Sequence, residues 1–208
     1  MNPPRSHDED AVRLLVAGPF DVGKTTLLRT LSGDRAVTTE RSVSAAGDPF
    51  VRRASRDAVA DAAGSGSTTV AMEFTRITTD VGVAAVFGSP GQRRFSFMWD
   101  LLARGAQAWI LLVDGTRPDT VSEAVEIHRA VSSGGRPGVV GVNRARATPT
   151  LLERVRGELG LDGDVEVMDV DVRDLTQALA LVGRAIRRAR PVVDGAGSRV
   201  SDADRPHG

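Results

Sequence analysis

An α/β domain, with a mainly parallel sheet of six strands, one antiparallel edge strand and about five flanking helices, is what this sequence of 208 residues predicts. Three observations carry the prediction. Apolar runs of strand length alternate with stretches of helical period, which calls for crossover connections and a sheet covered on both faces. One pair of apolar runs is separated by only Thr78, Thr79 and Asp80, too few residues for a crossover, so that pair must be an antiparallel hairpin. A glycine-bracketed turn of fixed spacing joins the first strand to the first helix.

The strands are expected at residues 12–17, 70–77, 81–87, 108–113, 138–142 and 165–170, where Val, Ile, Leu and Phe run between turn-forming residues. Helices are expected at 24–31, 120–132, 149–159 and 174–190, from apolar positions three and four apart. Residues 33–68, rich in Ala, Gly, Ser, Arg and Asp, form a long connection in which partial disorder and a short helix near Arg52 to Ala63 are expected. Residues 1–10 and 191–208 are polar and without period, and read as disordered tails around one domain of residues 11–190.

Composition narrows the function. Acidic and basic residues balance at 27 each, which argues against a nucleic-acid-binding field. No apolar run approaches the roughly 18 residues of a membrane span, and the first ten residues lack a signal-peptide core. The absence of cysteine removes disulfides, thiolate metal sites and prenyl or palmitoyl anchors, and Asn2 removes myristoylation. A cytoplasmic protein is expected, reaching a membrane only through a partner. His7, His128 and His207 are too scattered for a metal site.

Of the 27 basic residues all but Lys24 are arginine. That one lysine stands in G18-P-F-D-V-G-K-T25, which matches G-x-x-x-x-G-K-[ST] between an expected strand and an expected helix. Glycine at both ends lets backbone N–H groups converge on phosphate oxygens, and the helix N-terminus adds partial positive charge. The expected phosphate cradle is Gly18, Asp21, Val22, Gly23, Lys24, Thr25 and Thr26, with Lys24 reaching the β- and γ-phosphates and the Thr25 hydroxyl a ligand of Mg²⁺.

Beyond this motif the chain resembles the Ras-like small GTPases, and more narrowly the bacterial branch of actinobacterial conservon operons, related to gliding-motility GTPases. The carrying residues are GPFDVGKT, TTVAMEF at 68–74, FGSPGQRRFSFMWD at 87–100, ILLVDGTRP at 110–118, VGVNR at 140–144 and DVR at 171–173. The resemblance implies a P-loop fold binding GTP or GDP with Mg²⁺. It puts Thr69, with Thr68 as the other choice, at the first-switch threonine that senses the γ-phosphate and Mg²⁺. Gly91 falls at the second-switch glycine, and Gln92 at the residue that orients the attacking water. Lys24, Thr69 and Gln92 are thus the expected catalytic residues, and Thr25 and Thr69 the metal ligands. Asn143, Arg144, Asp171 and Val172 match the family's base-binding loops.

Two positions depart from the family pattern. Gly88 stands where an aspartate would anchor Mg²⁺ through its water shell, which implies weaker retention of the ion and slow hydrolysis. Arg146 stands where a carboxylate would accept from guanine N1 and N2, and an arginine cannot accept. Arg144 is expected to lie along the purine face. Asp114 is expected either to add charge near the site or to cap the helix that follows it.

Phe95, Phe97, Met98 and Trp99 read either as core packing of a switch helix or as a partner surface, the resemblance implying roadblock-type and histidine-kinase-like partners. Arg93 and Arg94 read as a solvated pair or as an arginine acting in cis on the transition state. The function implied is a GTP-binding switch with slow intrinsic hydrolysis that regulates a signalling complex. The alternative is a nucleotide-holding scaffold, or pseudo-GTPase, that recruits those partners with little or no hydrolysis. A small-molecule kinase shares the phosphate motif but would need an acceptor lid that the sequence does not show.

Overall fold

A computed structural model of the chain describes residues 11–33, 73–92 and 96–190. Among them run β1 (Val12–Ala17), α1 (Lys24–Ser32), β2 (Phe74–Thr79), β3 (Gly82–Gly88), α2 (Phe97–Gly105), β4 (Ala108–Asp114), α3 (Pro118–Ser132), β5 (Gly138–Asn143), α4 (Pro149–Leu159), β6 (Glu166–Val170) and α5 (Leu175–Ala189). They form one six-stranded sheet of order β2-β3-β1-β4-β5-β6. Every pairing is parallel except β2 with β3. The expected antiparallel edge is therefore β2.

The hairpin is tighter than the sequence spacing suggested. Thr78 and Thr79 continue the ladder, Thr79 opposite Gly82, so that Asp80 and Val81 alone make the turn. Two features hold the extra pairs: β-branched threonines suit a strand, and the Thr79 hydroxyl donates to the Gly82 carbonyl at 2.9 Å. The fifth helix, α2, lies outside the four located from periodicity. The expected helix near 52–63, residues 70–72 of the second expected strand, most of the 33–68 loop and both tails lie outside the described residues.

Side chains alternate along the central strands and divide the core in two. Val12, Leu14 and Val16 of β1 face α1 and α5, packing with Leu27, Leu31, Leu181 and Ile186. Leu15 and Ala17 face the other way, into α2, α3 and α4, with Trp99, Leu102, Ile127 and Val155. All seven residues of β4 are buried, as befits the middle strand of a doubly covered parallel sheet. At the far end of β5, a Cβ on Gly138 would collide with the Trp109 ring, so only glycine lets the two strands approach there.

The order places β1 beside β3, and the helices that follow these two strands, α1 and α2, pack on opposite faces of the sheet. The carboxyl ends of these strands open a crevice where the turns after β1, β3, β4 and β5 converge. Every described residue of the expected site lies on those turns, at the end of β5, on the turn after β6 or at the start of α1.

Candidate functional site

The turn between β1 and α1 has the backbone that a phosphate cradle needs. Gly18 and Gly23 have φ of 146° and 106°, and Asp21 has φ of 63°. A Cβ on Gly18 would collide with the Leu112 carbonyl of β4, and one on Gly23 would come within 2.6 Å of Asn143 Nδ2. Both glycines are thus fixed by close approach as well as by dihedral angle. Helix α1 begins at Lys24 without a side-chain cap at Gly23, which leaves its first N–H groups to an anion. Thr25 is partly exposed and Thr26 exposed on its first turn.

The Lys24 ammonium folds over the turn and donates to the carbonyls of Gly18 at 2.8 Å and Pro19 at 2.6 Å. Burial pushes its pKa down to about 8, against the opposing pull of Glu73 and then Asp21. A phosphate set against the ammonium would restore the charged form. Triphosphate binding near pH 8 should therefore take up protons, seen as a binding enthalpy that changes with the ionisation enthalpy of the buffer. The nucleotide-free protein holds fewer protons than the unfolded chain between about 8 and the ordinary 10.5, so its stability should rise with pH across that window. No second lysine masks this titration.

The segment expected to be the second switch sits on the cradle. A Cβ on Gly91 would collide with Lys24 Nζ and lie 2.8 Å from the Pro19 carbonyl and 2.9 Å from the Phe20 nitrogen, so only glycine fits. Gln92 follows, half-buried. Ser89 is buried and its hydroxyl has no hydrogen-bond partner. The Trp99 indole donates to the Pro90 carbonyl at 2.8 Å, tying α2 to this segment. Trp99 and Met98 are 3% and 5% exposed and pack into the core, which decides their reading in favour of helix packing. Thr68, Thr69, Arg93, Arg94 and Phe95, and the side chain of Phe97, lie outside the described residues.

On the opposite wall, Asn143 ends β5 and holds two loops together. Its Nδ2 donates to the Val22 carbonyl at 2.9 Å, and its Oδ1 accepts from the Val172 N–H at 3.3 Å. Arg144, at φ 66°, sends its guanidinium to the P-loop: it donates to Asp114 Oδ2 at 2.9 Å and to Asp21 Oδ1 at 3.0 Å. The head of Arg144, expected along the purine face, is instead committed to these two carboxylates. Arg117 adds a longer contact to Asp21, at 3.7 Å.

Asp114 is 1% exposed. Burial pushes its carboxyl up, but bonds donated by the Thr116 hydroxyl and N–H and by Arg144 overcome this and leave it below the ordinary value. Neither expected role describes it fully: it shapes the turn into α3 and is the buried counter-charge of Arg144. The bond from Arg144 is likewise the main cause holding the Asp21 carboxyl below its ordinary range. Asp171 is committed to Arg173, which donates through its side chain and backbone and draws the Asp171 pKa down to about 2. Arg146 is exposed.

Sequence reasoning passed over Glu73. The residue precedes β2 and stands opposite Gly88, whose N–H donates to the Glu73 carbonyl at 2.9 Å. The signal was present in the pairing of Phe74 with Phe87, but it shows only once the hairpin register is known. Among the described residues no three His, Cys, Asp or Glu side chains gather into a metal site of their own. An open groove lined by Pro118, Glu126, Arg129 and Glu158 shares no residue with the cradle and brings no comparable chemistry.

No protein-family model matches the chain. An uncharacterized protein of Methanocaldococcus jannaschii is 27% identical over 136 residues, which cover 65% of this chain and 71% of that protein. Among solved structures, a bacterial selenocysteine-specific elongation factor, EF-Sec, aligns with a TM-score of 0.54 at 20% identity. The alignment covers 86% of this chain and 28% of the factor, so the chain spans little more than a quarter of that protein. The likeness supports the fold alone, a six-stranded mixed sheet flanked by helices. It does not extend to the Ras-like conservon type. No helix among the described residues is long and apolar enough to cross a membrane.

Proposed function

We propose that the chain is a GTP-binding switch with slow intrinsic hydrolysis that regulates a signalling complex in the cytoplasm, where a partner recruits it to a membrane. The observation that carries this reading is the meeting of Lys24 with the P-loop carbonyls on one side and Gly91 on the other. A phosphate that draws the ammonium off those carbonyls must also disturb the segment leading to Gln92. Binding and switching therefore share one set of contacts.

In this reading the N–H groups of the cradle bind the phosphates, and Lys24 balances charge that builds on the β–γ bridging oxygen. Gln92 orients a water whose oxygen forms a bond to the γ-phosphorus as the bond from phosphorus to the bridging oxygen breaks. The partly exposed Thr25 hydroxyl at the start of α1 fits a hard cation, and with Thr69 it would hold Mg²⁺, which supplies charge neutralisation across the β- and γ-phosphates. Asn143 fixes the P-loop against the last base loop, while the Arg144 stem and the segment of Asp171 and Val172 flank the purine.

The second reading, a scaffold that holds nucleotide and recruits roadblock-type or histidine-kinase-like proteins, is favoured by Gly88 and by the exposed Arg146. Met98 and Trp99 are core, so partner contact through the second switch would fall to other residues. Calorimetric titration with GTP, GDP and ATP, with and without Mg²⁺, followed by phosphate release, separates the two. Guanine-selective binding with turnover near 10⁻⁴ per second, an order of magnitude roughly typical of unassisted small GTPases, is expected. Gln92→Leu should bind like the wild type and release phosphate about tenfold more slowly or worse. Binding without base preference or turnover would favour the scaffold, and no binding would sink both readings.

A further inference from the structure

The missing aspartate at Gly88 leaves a defined gap. Gly88 ends β3 beside the cradle, and its φ is not in the left-handed region, so the backbone itself does not demand glycine. A Cβ built there would lie 3.7 Å from Leu28 Cδ1 and 3.7 Å from Glu73 Cβ, ordinary contacts both. Space alone does not exclude a side chain.

The gap is matched from across the hairpin. Phe74 pairs with Phe87, which brings Glu73 opposite Gly88, and facing residues of an antiparallel pair leave the sheet on the same side. The close approach of Glu73 Cβ to the Cβ site of Gly88 confirms that shared side. A glutamate is one methylene longer than an aspartate, enough to offset part of the sideways step from β3 to β2. Its charge already reaches the cradle: among the charged groups acting on Lys24, Glu73 has the largest effect.

We propose that Glu73 serves as the acidic positioning residue of the Mg²⁺ site, accepting hydrogen bonds from the water shell of the ion in place of the aspartate absent at 88. The carboxylate has been moved from one strand of the hairpin to the facing position on the other. The assignment rests on the proposed nucleotide binding and adds the residue that steadies its metal. A carboxylate outside the ligand set acts by orienting bound water, and removing such a group weakens metal binding by about 10- to 100-fold.

The test measures how the affinity for a fluorescent GDP analogue depends on Mg²⁺ in the wild type, Glu73→Gln and the double variant Glu73→Gln/Gly88→Asp. Glutamine keeps the size of the side chain and removes the charge. In excess chelator Glu73→Gln should hold the nucleotide at least as well as the wild type. The Mg²⁺ concentration giving half the full tightening should rise about tenfold or more. Gly88→Asp on that background should restore it, which a merely structural role for Glu73 does not predict. An unchanged Mg²⁺ dependence in Glu73→Gln overturns the assignment, as does a double variant that binds nucleotide but stays insensitive to Mg²⁺. Failure of the wild type to bind nucleotide under any condition overturns the reading on which the assignment rests.

Discussion

Lys24→Ala should weaken triphosphate binding by roughly 10²- to 10⁴-fold while leaving the nucleotide-free fold intact. The ammonium lies in the cradle, where it bonds the Gly18 and Pro19 carbonyls. Charge-assisted hydrogen bonds are worth about 1.5–3 kcal/mol each, and two of them to phosphate account for about 3–6 kcal/mol. The empty protein loses little, because Lys24 is held there against its own desolvation. Titration calorimetry gives the affinity and a thermal melt without ligand gives the stability. Wild-type affinity in the variant would contradict the central claim, and a collapsed melt would show that the lysine is a structural residue first.

Arg144→Ala should destabilise the fold. It leaves Asp114 buried with its two Thr116 bonds and no counter-charge. Removing one member of a buried pair costs about 3–5 kcal/mol, and because Arg144 is 39% exposed a smaller loss, about 2–3 kcal/mol, is expected. The contribution is complete above the ordinary carboxylate value of 3.8 and lost as pH falls through the lowered Asp114 value. Adding Asp114→Ala should recover part of the loss, and chemical denaturation of the two single variants and the double gives the coupling. Additive losses would mean that the two residues act separately. Nucleotide affinity should fall as well, since Asp21 loses its tie to the base loop.

Much of this architecture was legible along the chain because its signals are local. The P-loop is a contiguous string, strands β1, β4 and β5 are rich in Val, Ile and Leu, and the Thr78–Asp80 spacing forced a hairpin. What escaped depended on which strands become neighbours. The partnership of Arg144 with Asp114 joins the ends of β4 and β5, and that of Glu73 with Gly88 joins the two strands of the hairpin. Neither appears in any linear spacing. Helix α2 was seen only as an apolar cluster, because four large side chains in five positions mark a packing face without saying what it packs against. The expected base site is the place where local rules disagree: Asn143 keeps its structural bonds, while Arg146 breaks the pattern that would set its specificity.

The two tryptophans of the chain occupy environments that differ in one respect. Both are buried and both indole N–H groups are bonded to carbonyls, Trp109 to Arg136 and Trp99 to Pro90. Trp109 is wedged against Gly138 inside the sheet, while Trp99 is leashed to the peptide one step before Gly91. Any ligand that shifts that peptide must change the emission of Trp99 and leave that of Trp109 as an internal reference. The molecule carries its own optical readout of that segment, and Trp109→Phe would isolate it.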